Sequence, residues 1–365
     1  MKCECFTHIT DLLDYLQNNL LIAYYCGFNI MEPLPSYWTL DRFINKIDHS
    51  ILQKLMHSQV LDLASKGIID TSFISLDSTP VAANTSHNNP KSFKKNKFSK
   101  DHHPKSDKDC GLGVHTASNQ VNERKFEYYW GYKNHVLVDC ITGLPIYELT
   151  TTADNADCSV AVDILNQTNE FISIDECTFL ADKGYDIKAI YNTVKNTYHG
   201  ECVIPLNSRN TKNPKKLSSG HPICDAGFVM HKDGKFSDNN RTRQKFCCPF
   251  KNSKSAECPC NHKNWNNGKK NRGCTKYTTI PDDYRLSIDR NCLSFKKLYS
   301  LRTEAERYNS RFKQTGQERL WVRNFNSAQN LNTIAHISLL AVAIATVNSK
   351  LNYSYRSLKS LKRLA

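Results

Sequence analysis

The chain has 365 residues, of which 39% are hydrophobic and 23% charged, proportions ordinary for a folded protein with ample surface to bury a core. Lys and Arg number 49 against 35 Asp and Glu, a formal charge of +14, and the pI is near 9.0. That excess favours a polyanionic partner, nucleic acid most often, although ribosomal, membrane-surface and merely basic proteins share it.

The opening stretch "MKCECFTHITDLLDYL" places charges where a signal peptide needs an apolar core, so no export is expected. The longest apolar run, "IAHISLLAVAIATV" at 334–347, is too short and polar to span a bilayer and reads as a buried helix near the C-terminus. Fifteen cysteines in a non-exported chain point to reduced thiols or a metal site rather than a disulfide framework.

Residues 1–70 read as a helical N-terminal region. "PSYWTLDRFINKI" follows a Pro-rich turn, and "SILQKLMHSQVLDLASKG" ends on Gly67 as a C-terminal cap. With Trp38, Arg42, Lys46, Lys54 and Lys66, this region is either a DNA-binding unit or a helical cap. Next, "FISLDSTPVAAN" (73–84) is an apolar strand pattern with Asp77 inside it. The Lys-rich run 88–110, with Phe93 and Phe98, reads as a solvated loop or a phosphate-contacting one.

Two strands, 133–140 and 144–152, are joined by a turn at Thr142-Gly143. A helix over 157–167, opened by Asp157, leads to a short strand, 177–182, that ends in Asp182. A helix over 185–197 and a strand over 201–206 complete this stretch. From 207 to 285 the chain is rich in Asn, Lys, Gly, Ser and Cys, with little periodicity. The run "LYSLRTEAERYNSRFKQ" (298–314) has neither Gly nor Pro and reads as one helix. On such a helix Tyr299, Arg302, Glu306 and Lys313 share one face and Glu304 points nearly opposite. The element order predicts an α/β fold with a mixed sheet. The expected divisions are 1–70, a first core segment 71–206, a Cys-rich insertion 207–285, a last core segment 286–350, and a basic tail 351–365.

A carboxylate inside an apolar strand, as at Asp77, is costly unless it is paired, hydrogen-bonded or metal-bound. Asp182 closes a second apolar strand, where open α/β sheets usually meet their ligands. Each aspartate alone is more often a cap or turn former. Together with a helical glutamate they would make a hard oxygen cage for Mg²⁺ or Mn²⁺. Two such ions, about 3.5–4 Å apart, serve phosphodiester chemistry.

With these residues in view, the chain resembles the DDE transposases of bacterial insertion sequences, which have a ribonuclease-H-like core. The closest group carries its third acid in a Y-x2-R-x3-E-x6-K signature, matched at every position by Tyr299, Arg302, Glu306 and Lys313. "LDST" carries Asp77, "LADKGYD" is similar to the stretch around the second acid, Asp182, and 130–165 is similar to the segment between them. The resemblance implies that Asp77, Asp182 and Glu306 are catalytic metal ligands for Mg²⁺ or Mn²⁺, and that Tyr299, Arg302 and Lys313 contact DNA. It further implies cleavage and strand transfer at the ends of an element, a hairpin-bearing end during excision, target DNA as second substrate, and a homodimer in the DNA complex. A cytoplasmic, nucleoid-associated protein without a membrane partner follows. A binding-only domesticated or inactive transposase, or a metal-dependent nuclease without strand transfer, remains as an alternative. Trp130 reads as core packing or as a stack for a displaced base.

Six cysteines lie between 224 and 274, with His231 and His262 nearby. Cys224, Cys248, Cys260 and Cys274 are the best set for a structural Zn²⁺, since a small segment without a core often requires such a staple. Their irregular spacing leaves free thiols as the competing reading.

Overall fold

The computed structural model describes residues 1–89, 98–118, 124–207, 216–217, 221–238, 241–251, 273–280, 284–349 and 356. In chain order come helices α1 (Ile9–Asn18), α2 (Leu20–Tyr25), α3 (Tyr37–Lys46) and α4 (His49–Ser65). Strands β1 (Phe73–Ala82), β2 (Gly111–Ser118), β3 (Arg124–Asp139) and β4 (Pro145–Thr152) follow, then α5 (Ala161–Asn169). Next are β5 (Thr178–Leu180), α6 (Lys188–Asn192), β6 (Glu201–Val203), β7 (His231–Asp238), β8 (Arg241–Cys247) and β9 (Thr275–Ile280). Helices α7 (Tyr284–Ser287), α8 (Leu293–Ser300), α9 (Thr303–Phe312) and α10 (Phe325–Asn348) close the chain. The fold class is α/β, with antiparallel and parallel strand pairs and flanking helices.

Contacts divide the chain into two compact units, Met1–Ile174 with Thr303–Ala365, and Asp175–Arg302. In the first unit, α3 is capped by Ser36, whose hydroxyl accepts from Thr39 N, and α4 by Asp48, which accepts from Ser50 N at 3.0 Å. Gly67 follows α4 with φ +68°, and the Ile68 N–H closes the last turn on Leu63 O. Strand β3 pairs antiparallel with β1, β2 and β4, and its register sets Asp77 opposite Val136 and Thr79 opposite Asn134. The β3–β4 turn passes through Gly143 at φ +68°, the conformation its Thr-Gly sequence favours.

Helices α9 and α10 pack on this sheet. Val81, Tyr132, Val136, Tyr308, Phe312 and Leu339 belong to the apolar cluster between them. Helix α10 is longer than the apolar run 334–347, starting ahead of it at an Asn324 cap whose side chain accepts from Ser327 N. By length and mean hydropathy (1.6) it meets the requirement for a membrane span, yet 61% of its most apolar window is buried inside the protein, the character of a core helix.

In the second unit, β5 and β6 pair in parallel with Phe179 opposite Cys202. Buried Asp186 forms an ion pair with Arg285, and buried Arg290 donates to Ile204 O and the Tyr191 hydroxyl, tying the segment around α7 to α6 and β6. Strands β7, β8 and β9 form a separate antiparallel sheet, where sequence periodicity predicts none. Its apolar cluster is small: Cys224, Met230, Phe246 and Cys274, with Ala226 against it.

The run 298–314 is not one helix. It ends α8 at Ser300, turns at Leu301 and Arg302 through i→i−3 bonds to Leu298 and Tyr299, restarts as α9, and finishes in a wide π-type turn at Lys313–Gln317. The shared face of Tyr299, Arg302, Glu306 and Lys313 on a continuous helix is thereby corrected. A 3₁₀ turn at Asp157–Ser159 leads into helix α5 at Ala161, and Asp157 pairs with Lys133 at 2.9 Å.

Candidate active site

Asp77 stands midway along β1, half-buried, on the strand flanked by buried Leu76. A carboxylate there needs donors, and one comes from α9: Asn309 Nδ2 donates to Asp77 Oδ2 at 3.0 Å. Helix α9 lies on β1 and β3 and buries Ala305, Tyr308, Asn309 and Phe312. Glu306 is on α9 one turn before Asn309 and is exposed, and residues three apart are neighbours on a helix surface. The first unit thus brings Asp77 and the Glu306 helix together. Asp77 also lines a groove with Ser78, Tyr129, Lys133 and Asp157, walled on one side by exposed Phe126.

The two glutamates of α9 part company. Glu304 is 7% exposed and bonds to Arg307 and, at 3.4 Å, Arg356. A Cβ on Gly143 would meet Glu304 Oε2 at 2.8 Å, and Arg311 donates to the Gly143 carbonyl, so Glu304 and Arg311 hold α9 against the β3–β4 turn. Glu304 is a structural acid.

Beneath α9 runs a buried polar chain. The Tyr308 hydroxyl and His336 Nδ1 are 2.6 Å apart, and His336 Nε2 lies 2.9 Å from Asn134 Oδ1. Asn134 Nδ2 donates to Glu148 Oε2 at 2.7 Å, while Thr333 donates to the other Glu148 oxygen and His49 lies 3.7 Å from it. Burial holds His336 down at about 4. Burial would raise Glu148, but the hydrogen bond from His49, the nearby His336 and the Thr333 hydroxyl bring its carboxyl below the usual value. Tyr308 is pushed well up by burial, so it stays a neutral hydrogen-bonding group.

In the second unit Asp182 lies two residues beyond β5 and caps the turn 183–185, its Oδ1 accepting from Gly184 N at 2.7 Å. Its second oxygen is not used in that cap. Tyr299 lies in the last turn of α8 with the Arg302 guanidinium 5.5 Å from its ring centroid. Lys313, in the first unit, opens the π-type turn after α9 and is half-buried. Cys224, Cys248 and Cys274 are buried thiols, with Cys248 N donating to Cys274 O at 2.9 Å, whereas Cys260 lies outside the described residues. Among the described residues, no three His, Cys, Asp or Glu side chains gather at metal-ligand spacing. The acids nevertheless suit a hard divalent cation in kind, since carboxylates are oxygen donors of the type Mg²⁺ selects.

Trp130 is 1% exposed, its backbone clamped by both ends of the Asn88 amide and its ring beside His103. It is a core side chain. Asn309 escapes a sequence reading because a lone helical Asn is usually a solvated residue. Its i+3 spacing from Glu306 is the signal that finds it.

Fold and site define an α/β protein in which a mixed set of strands carries an aspartate against a glutamate-bearing helix. The chain belongs to the transposase DDE-domain family, whose model matches residues 68–341. No curated protein matches it. Among solved structures it is similar to the piggyBac transposase synaptic complex with hairpin DNA, at 9% identity and TM-score 0.36, over 80% of this chain and 51% of that one. It is also similar to the Mos1 transposase paired-end complex with left transposon end, at 12% identity and TM-score 0.20, covering 53% and 57% of the two chains. The Mos1 strand transfer complex gives 11% identity and TM-score 0.20 over 53% and 56%. The chain spans little more than half the length of these relatives.

Proposed function

We propose that this protein is a DNA transposase that cleaves at the ends of an insertion sequence and joins the freed 3′-hydroxyl to target DNA. The observation that carries the reading is the Asp77–Asn309 bond, which fixes the first acid against the helix of Glu306. Family membership and a charge of +14 support a DNA substrate. Asp77, Asp182 and Glu306 would hold Mg²⁺ or Mn²⁺. Such ions, when bound, make the attacking oxygen more nucleophilic and stabilise the leaving one. In each step an oxygen–phosphorus bond forms in line with the one that breaks: first water displaces the 3′-oxygen at the element end, then that 3′-hydroxyl displaces a 3′-oxygen of the target strand. No covalent enzyme intermediate is needed. Tyr299, Arg302 and Lys313 contact phosphates, the two cationic groups matching phosphate oxygens and the phenol donating a hydrogen bond, and two copies assemble on paired ends. The Cys-rich segment takes a structural Zn²⁺ through Cys224, Cys248, Cys260 and Cys274.

The test is cleavage of labelled element-end DNA with Mg²⁺ or Mn²⁺, comparing wild type, Glu306→Gln and Glu304→Gln. Loss of several kcal/mol of transition-state stabilisation predicts a fall of roughly 10³-fold or more for Glu306→Gln, with DNA binding retained. Glu304→Gln keeps its activity. Binding without cutting by wild type would install the binding-only reading, and cutting without joined strands the nuclease one.

A further inference from the structure

Asn309 is 7% exposed, and its two amide atoms fare differently. Nδ2 donates to Asp77 Oδ2 at 3.0 Å, whereas Oδ1 is buried with no hydrogen-bond partner among the described residues. Turning the amide over would set its oxygen against the carboxylate, acceptor to acceptor, so Asp77 itself fixes the orientation. An unmade buried hydrogen bond costs on the order of 1–3 kcal/mol, and an apolar side chain of the same size would carry no such cost. Among the described residues, the bond to Asp77 is therefore the reason for an amide at this point. That bond engages Oδ2 of Asp77 and restricts the carboxylate's rotation. It comes from the helix that also carries Glu306, three residues earlier.

We propose that Asn309 is a positioning residue for the divalent ion: its bond to Oδ2 fixes the orientation of the Asp77 carboxylate and couples the placement of Asp77 to that of α9. The inference rests on the reading of Asp77 as a metal ligand. Groups that orient a ligating carboxylate are typically worth about 10–100-fold in metal affinity.

The test measures Mn²⁺ binding to the intact protein by electron paramagnetic resonance, alongside its melting temperature. Asn309→Leu keeps the volume and removes the orphaned oxygen. It is expected to melt at or above the wild-type temperature while binding Mn²⁺ roughly tenfold or more weakly, a divergence that a merely structural role would not produce. Asn309→Ala, which cannot clash, is expected to show the same loss of affinity even if Asn309→Leu fails to fold. Wild-type affinity in Asn309→Ala, with Asp77→Asn unable to bind, would overturn the positioning role and leave the metal site standing. Unchanged Mn²⁺ binding in Asp77→Asn would remove the metal-ligand reading and this inference with it.

Discussion

The bed under α9 and the sheet β7–β8–β9 are held together by different means. Under α9, aromatic and aliphatic side chains such as Tyr132, Tyr308 and Phe312 enclose a continuous polar chain from Tyr308 through His336 and Asn134 to Glu148. Among the described residues the small sheet has four buried residues in its cluster, two of them cysteines, and exposes Phe236 and Tyr277 on a strand face. Burial alone can hold the first. For the second, the few apolar side chains among the described residues, at roughly 1.5–3 kcal/mol each, fall far short of the entropy of ordering three strands. A thiolate-bound zinc would close that gap, so the two regions should answer to different perturbations.

The largest effect is expected from chelation. Protein purified under reducing conditions should contain zinc by elemental analysis. Its removal should abolish the β7–β9 structure outright, since structural zinc contributes roughly 10–16 kcal/mol in small domains. Hydrogen exchange should then rise across 231–247 and 275–280 and stay unchanged in α10. Zinc-free protein with a protected small sheet would sink the idea, and the comparison would have to rest on packing alone.

Glu148→Ala breaks the other region. It leaves Asn134, Thr333 and His49 facing a cavity, and removing one partner of a buried charged network costs about 3–5 kcal/mol. Thermal unfolding should drop by roughly 10 °C, with the β7–β9 amides unaffected. A shift under a degree would mean that water already serves those groups.

How much of this could be read from the chain depends on whether the local pattern and the tertiary contact agree. Asp77 in β1, the Thr142-Gly143 turn and the separation of Glu304 from Glu306 were legible, because strand alternation, a left-handed turn and helix periodicity each act over a few residues. The sheet β7–β9 was not. Its strands "HKDGKFSD" and "RTRQKFC" carry Lys, Arg and Asp where apolar alternation would mark a strand; the first is largely exposed, and the second buries a glutamine, Gln244, beside Phe246 and Cys247. The break at Leu301–Arg302 has no Gly or Pro to announce it, so propensity favours a continuous helix there and local sequence does not mark the stop. Asn309 and the Glu148 chain were hidden for a related reason: polar residues on a buried face look like solvated ones until their partners, far away in sequence, are known.

Acid should weaken the α9 bed before it reaches the small sheet. His336 under α9 and buried His135, which follows Asn134 on β3, faces the sheet's other side and lies 2.9 Å from Thr151, are each held at about 4 by burial, against 6.5 for the free side chain. Between those values the unfolded chain binds protons that the folded one refuses, so stability falls as the pH drops from 6.5 toward 4 and levels off below. A shift of this size corresponds to about 3 kcal/mol per histidine at most. Glu148, held low, adds to the loss at still lower pH, when its carboxylate is protonated. His336→Gln keeps a donor and an acceptor without the titration, and should flatten about half of the slope in denaturant midpoints measured from pH 6.5 to 4. An unaltered slope would place the acid sensitivity elsewhere.

The smallest effect belongs to Glu304. It is buried, but both of its arginine partners lie toward the surface, Arg307 being 65% exposed and Arg356 33%. Surface-screened pairs contribute roughly 0.2–1 kcal/mol each, and Gln retains the shape and one acceptor. Glu304→Gln should therefore lower stability by about 1 kcal/mol, less in high salt, with catalysis intact. That outcome matters because Glu306, two residues on, is expected to do the reverse: lose the chemistry and keep the fold. If Glu304→Gln instead abolished cleavage at unchanged stability, the acid that serves the metal would be the one facing the β3–β4 turn, and the Asp77–Asn309 contact would have to be read as structural.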